Sequence, residues 1–409
     1  MQRHSFKYKV MHKFKINEFT FFISFSIYLF MRIISLSFLG YFPGTRFIIL
    51  TSILLVLIGD FAYVRNFKSN PNVILGIILV LFITFIAEYN GMSYFISSMP
   101  IFIYCARNIP FDKVIKLTLI ITTICMLIIV VGSRIGLLTD YIYYNQGRTR
   151  HSLGFSYSLI PACFARNITF LKIYKDKEKI KWKSLVFLLI FNIYIFQYTN
   201  ARLNFGLSIV ILLIAIIFKI NSNIVIKNKL VSIGMVTSFI SCFLISVLLV
   251  VNYNPSKPGY FFLNNVLNNR LKYAYAGIAT CGISFWGKEI EMVGSGLTLS
   301  GELRNISEYN YIDCSYIQML INYGVLATLI ILFLLTLTIY ECYKDKDYYL
   351  MTILTLLALH MMIDDYVIQL GYNTFILLIG IKLLGKKEKI KKYARRKIKG
   401  VINNKEFYI

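Results

Sequence analysis

Apolar runs of about 20 residues recur along the whole chain and leave few folds open to it. Hydrocarbon offers a backbone no hydrogen-bond partner, so such a chain spans a bilayer as helices or as a closed barrel. The runs are continuous rather than alternating in polarity, which selects helices. Composition agrees: 57% of residues are hydrophobic and 15% charged, with mean hydropathy +0.65, against about 25% charged in soluble domains. The expected fold class is all-α: a polytopic transmembrane helix bundle of twelve spans, at 19–39, 46–64, 72–88, 91–109, 114–135, 153–171, 185–200, 203–220, 230–251, 316–340, 350–368 and 372–385.

The chain carries 44 Lys and Arg against 19 Asp and Glu, a formal charge of +25. A nucleic-acid partner would explain that excess, but its distribution excludes one. The positive charges sit in connectors and in a tail, as the positive-inside rule requires. Arg3, Lys7, Lys9, Lys13 and Lys15 precede the first run; Arg65 and Lys68, then Arg107, Lys113 and Lys116, follow in later connectors. Lys172, Lys175, Lys177, Lys179, Lys181 and Lys183 crowd one connector, and Lys344 and Lys346 another. Every second connector is basic, so both termini are expected in the cytoplasm. The tail at 386–409 either binds anionic headgroups or anchors the topology, which makes membrane lipids partners. No small-residue cleavage site follows the first run, so it is expected to remain as a span. Seven cysteines are scattered without CxxC spacing, which points away from zinc and redox pairs. Cys281 and Cys314 lie in one loop and either bond or stay free.

The remaining connectors are expected outside. Two are large, 136–152 and 252–315; the latter is the only long polar interval and forms an external loop between spans 9 and 10 of a membrane domain at 1–385. This face holds Arg134, Arg148, Arg150, Arg202, Arg270 and Arg304, although positive charge is normally kept inside. Arg202 lies in the tight turn Gln197-Tyr198-Thr199-Asn200-Ala201-Arg202-Leu203-Asn204, where Asn200 and Asn204 are placed to orient it. Charge at such a depth needs a partner. In Gln146-Gly147-Arg148-Thr149-Arg150-His151-Ser152-Leu153-Gly154-Phe155, two arginines and a histidine form an anion trap. Guanidinium forks match phosphate oxygens, and His151 is either a proton carrier or a hydrogen-bonding group. Arg270 follows an Asn-rich turn and opens a stretch spaced for a short amphipathic helix lying on the membrane. Asp313, three residues before Tyr316, is either a helix N-cap or a reactive carboxylate. Asp364-Asp365 is read as a span end. Neither a spaced DxD metal signature nor a dinucleotide-binding glycine motif is evident, so no cofactor is expected.

The order of these features resembles the Wzy-type repeat-unit polymerases of bacterial O-antigen, capsule and exopolysaccharide pathways. A multi-span bundle is followed by Arg-x-Arg-His-Ser-Leu-Gly-Phe at 148–155 and Thr-Asn-Ala-Arg at 199–202. A long loop then opens with Leu267-Asn268-Asn269-Arg270-Leu271. It closes with Tyr311-Ile312-Asp313-Cys314-Ser315-Tyr316 and Tyr323-Gly324. The resemblance covers residues 20–385 and departs where Ser158-Leu159 stands near the family's Pro-Asn pair. It implies glycosyl transfer between polyprenyl-pyrophosphate-linked oligosaccharides at the outer face of the bacterial cytoplasmic membrane. Arg202, Arg270, Arg150 and Arg148 would bind pyrophosphate or glycan, with Asp313 or His151 as the base. Asn200 would orient, and Tyr316 would stack on sugar. A chain-length regulator is a candidate protein partner. Two rival readings stand beside it: an O-antigen-type ligase, and a lipid-linked oligosaccharide flippase. The flippase would require more charge deep in the spans than Arg32, Asp60, Arg166 and His360 supply.

Overall fold

The computed structural model describes residues 2–39, 43–64, 71–145, 147–220, 229–295 and 309–385; Arg304 and the tail at 386–409 lie outside them. The described chain is mostly helical. In order it forms α1 (Gln2–Ile34), α2 (Thr45–Val64), α3 (Pro71–Tyr89), α4 (Tyr94–Ser97), α5 (Met99–Cys105) and α6 (Phe111–Arg134). A hairpin, β1 (Ile142–Asn145) and β2 (Arg148–His151), precedes α7 (Leu159–Asp176), α8 (Trp182–Thr199), α9 (Arg202–Ile220), α10 (Lys229–Val236) and α11 (Ser238–Val251). Then come α12 (Pro258–Val266), α13 (Arg270–Cys281), α14 (Ser315–Asn322), α15 (Gly324–Lys344) and α16 (Tyr348–His360).

Among the described residues, 6 helices are long and apolar enough to cross a membrane: stretches of α1, α2, α6, α8, α9 and α15. α10 and α11 add a seventh if that pair, bent by 62°, is one span. The expected span at 72–88 is the unbroken helix α3, and the other expected spans are interrupted for identifiable reasons. The run at 91–109 carries Pro100 at its centre and Arg107 near its end, and it divides into α4, α5 and a 3-10 turn. The run at 153–171 begins inside the turn after the hairpin, and its helix starts at Leu159. That helix, α7, is the least lipid-like: it carries Arg166 and buries 14 of its 18 residues among α6, α8 and α9. The run at 350–368 stops at His360, and 372–385 holds only a 3-10 turn and a π turn.

The run at 316–340 is broken between α14 and α15 by the chain at 284–288. Lys288 N donates to Ile321 O at 2.8 Å and Val325 N to Ser284 O at 3.1 Å. Two glycines make that crossing. Gly324 (φ +76) and Gly287 (φ +86) lie in the left-handed region, and a Cβ on either would come within 2.3 Å of backbone atoms across the contact. The long polar interval is therefore stitched into the bundle.

Antiparallel packing divides the polar groups between two ends. One end gathers the C-termini of α1, α6, α8 and α16 with the N-termini of α7 and α9. At the other, Lys177 pairs with Asp347 at 2.9 Å and Lys382 with Asp345 at 2.8 Å. The two ends are an 18-residue helix apart along α7, which is about 27 Å.

Candidate functional site

The first cluster is built on the hairpin, whose register pairs Ile142 with His151 and Tyr143 with Arg150. A hairpin in this register brings the two residues before β1 against the end of β2. Asp140 consequently meets His151: Nδ1 lies 2.7 Å from Asp140 Oδ2, while Asp140 Oδ1 accepts from Leu153 N at 2.8 Å. Arg134, at the end of α6, lies 3.8 Å from the same carboxylate and 4.3 Å over the Tyr198 ring. Asp140 therefore fixes the imidazole through Nδ1, and Nε2 has no hydrogen-bond partner among the described residues. Gly147 (φ 71) and Gly154 (φ 84) take the tight backbone paths expected of them.

The three arginines around the hairpin have no carboxylate within ion-pairing distance among the described residues. Partial burial, then the charges of Arg202 and Arg150, push the Arg148 pKa down. Arg150 Nη1 reaches the Tyr143 hydroxyl at 3.5 Å, and its buried Nε has no partner. Arg202 opens α9 one residue after the turn that Asn200 makes at φ 49, and its side chain is exposed. Asn200 does not grip that side chain. It acts through the backbone: its left-handed conformation ends α8, and its carbonyl accepts from Arg202 N at 3.2 Å. Asn204 points the other way, into the bundle, and is buried. Like charges crowded without an acid are costly in the empty site and available to an anion.

The second cluster is built by the polar interval. Asn268 and Asn269 both adopt left-handed φ, which turns the chain sharply into α13. Asn264 holds that turn: Nδ2 donates to Asn269 Oδ1 at 2.8 Å, and Oδ1 accepts from Lys272 N at 3.0 Å, in the first turn of α13. Arg270 is thereby aimed inward. Its Nε lies 3.1 Å from Asp313 Oδ2, with side chains 20% and 18% exposed. The Tyr309 hydroxyl donates to the same oxygen at 3.3 Å. Asp313 Oδ1 keeps no partner among the described residues. Burial raises the Asp313 carboxyl above the ordinary carboxylate range, and Arg270 only partly offsets it. Burial also works against the Arg270 charge, but Asp313 and Asp364 outweigh it and its pKa rises.

Tyr157 lies between the clusters: its ring stacks on Tyr143 at 6.2 Å, and it is within electrostatic reach of both Asp313 and Arg150. Arg148, Arg150, His151, Arg202, Arg270 and Asp313 thus gather at one end of the bundle.

Three expectations are corrected. Tyr316 offers no face to a sugar: it is 0% exposed, its hydroxyl donates to Ala358 O at 2.9 Å, and Phe243 packs on its ring. Asp313 is not a helix cap, because α14 begins at Ser315, Cys314 is its N-cap residue, and the carboxylate is turned to Arg270. Asp364 and Asp365 are not a span end meeting water; they are 4% and 3% exposed. Asp364 Oδ2 lies 3.2 Å from His360 Nε2, and His360 Nδ1 contacts Arg166. Cys281 and Cys314, left open by the sequence, are both free thiols.

Asp140, Tyr143, Tyr157 and Tyr309 escaped the sequence reading. For Asp140 a signal existed. Tyr141-Ile142-Tyr143-Tyr144, a short Gly-containing turn and Arg-Thr-Arg-His form a hairpin pattern, and its pairing places 140 beside 151–153. Family models, characterised proteins and solved structures give no match to the chain.

Proposed function

We propose that the chain joins polyprenyl-pyrophosphate-linked oligosaccharide repeat units into a surface polysaccharide at the outer face of a bacterial cytoplasmic membrane. The observation that carries this reading is the set of guanidiniums at one end of the bundle. Arg148, Arg150 and Arg202 have no acid among the described residues to neutralise them, and Arg270 stands beside them on a buried carboxylate. The lysine-paired end opposite is the cytoplasmic one on the positive-inside rule, which places both termini inside.

The bond broken runs from the donor's anomeric carbon to pyrophosphate oxygen, and the bond formed runs from that carbon to the acceptor sugar's hydroxyl oxygen. The leaving pyrophosphate gains negative charge as it departs. Unpaired guanidiniums facing it stabilise that charge without having to reorganise. The acceptor hydroxyl gives up its proton to one of two side chains: His151 through Nε2, oriented by Asp140, or Asp313 through Oδ1. The donor arrives already activated, so the reaction requires no nucleotide sugar.

Deletion of the gene followed by gel separation of the surface glycan tests the reading. The mutant should keep single repeat units and lose the long-chain ladder. A ladder of wild-type length would overturn the proposal.

A further inference from the structure

The stretch from Tyr311 to Cys314 leads into α14 without helical structure, and burial alternates along it. Ile312 and Cys314 are 0% and 5% exposed and face the packed interior; Ile312 lies so close to α13 that a Cβ on Gly277 would come within 2.3 Å of it. Tyr311 and Asp313 alternate with them and are only half-buried. Tyr311 and Ser315, two residues to either side of Asp313, are both tied to the turn after α16. The Tyr311 hydroxyl donates to Asp365 Oδ2 at 2.7 Å. Ser315 N donates to Met361 O at 2.9 Å, and its hydroxyl donates to the Asp364 carbonyl.

Asp365 is the unexpected member. Asp364 beside it has His360 and, through His360, Arg166. Asp365 has no ion-pair partner among the described residues, and the side chain that hydrogen-bonds to it is the Tyr311 hydroxyl. A buried carboxyl with no cation is costly, and packing alone would favour an apolar residue in its place. What this carboxyl does is hold Tyr311, and through Tyr311 the segment that presents Asp313 to Arg270.

We infer that Asp365 and Tyr311 are positioning residues: their hydrogen bond locks Asp313 against Arg270 for the transfer step. The inference rests on the reading of the Arg270–Asp313 pair as part of the reacting site.

The test uses the full-length chain in nanodiscs with lipid-linked single repeat units extracted from cells lacking the gene. Turnover is counted per folded protein from the monodisperse gel-filtration peak. Tyr311→Phe removes one oxygen; Asp365→Ala removes the acceptor; Asp365→Asn keeps an oxygen that accepts from Tyr311 while losing the charge. Misplacing a reacting group by about 1 Å costs on the order of a hundredfold in rate. Tyr311→Phe and Asp365→Ala should therefore lower kcat by about ten- to a hundredfold with KM within about twofold, and Asp365→Asn should restore kcat to within about threefold of wild type. Wild-type kcat in Tyr311→Phe overturns the inference, and so does Asp365→Asn as impaired as Asp365→Ala. Arg270→Ala separates the two levels. If it is inactive while Tyr311→Phe is unimpaired, the positioning role alone falls; if Arg270→Ala keeps full activity, the reading of the site falls with it.

Discussion

Asp313→Asn and Arg270→Ala bear most directly on the site. The two side chains are 18% and 20% exposed and lie 3.1 Å apart. Removing one partner from a buried pair costs about 3–5 kcal/mol, because the other charge is left without compensation. The residual exposure places this pair near the lower end, about 3 kcal/mol, which is roughly a hundredfold at 1.4 kcal/mol per tenfold. Arg270→Ala leaves Asp313 with the Tyr309 hydroxyl alone, and burial then drives the carboxyl to protonate. Both its charge and its partner's disappear from the site. Asp313→Asn preserves shape and leaves Arg270 unpaired. Beyond that cost in stability, each single variant should lose about a hundredfold in polymer formed per folded protein, because a charge stabiliser or proton acceptor is gone, read as conversion of extracted lipid-linked repeat units to a ladder by purified protein. The double variant should be no worse than the worse single, since the two groups act as one unit. Ladders of wild-type length and rate from both single variants would refute the assignment of this pair to the reaction.

Four further outcomes are expected. His151→Gln should cut turnover by about a hundredfold, and Asp140→Asn by about tenfold or more through loss of the fixed imidazole orientation, both measured on the same conversion assay. If Asp313 is the proton acceptor, the rate falls as pH drops through a carboxyl raised above 3.8; a pH–rate profile should place that acid limb above the ordinary carboxylate range, and Asp313→Asn should remove it. Gly324→Ala forces φ +76 on a residue whose Cβ would lie 2.3 Å from Gly287 N, and should lower the unfolding midpoint; Gly206→Ala meets nothing within 4 Å and should not lower it, as a thermal unfolding series would show. Cysteine placed at the exposed Ser256 in a background lacking the native cysteines should react with a membrane-impermeant maleimide added to intact cells.

How much of this was legible in the chain differs by physical cause. The helices that face lipid on one side, α2, α6, α9 and α15, were readable because solvation by hydrocarbon imposes continuous apolarity on them. The helices interrupted inside the bundle were not, because protein rather than lipid satisfies their backbones, and apolarity no longer counts residues per crossing. α7 shows this most clearly: its Arg166 is tolerated because α6, α8 and α9 surround it and His360 meets it. The arginines of the site stood out because positive charge in connectors expected on the outer side runs against the topology rule. Their partners did not, since Asp140 depends on a hairpin register and Asp365 on a turn between α16 and the polar interval. The same contrast explains the error over Asp364-Asp365. Adjacent acids at the end of an apolar run satisfy the pattern of a helix leaving the membrane, and only the contact with Tyr311, 54 residues earlier, shows them turned inward. A buried acid is informative because it costs so much to keep. In this chain the acids therefore carry as much of the functional argument as the arginines: Asp140 and Asp365 each fix the orientation of a neighbouring group, so removing either should disturb geometry before it disturbs charge, whereas removing Asp313 leaves the Arg270 charge uncompensated.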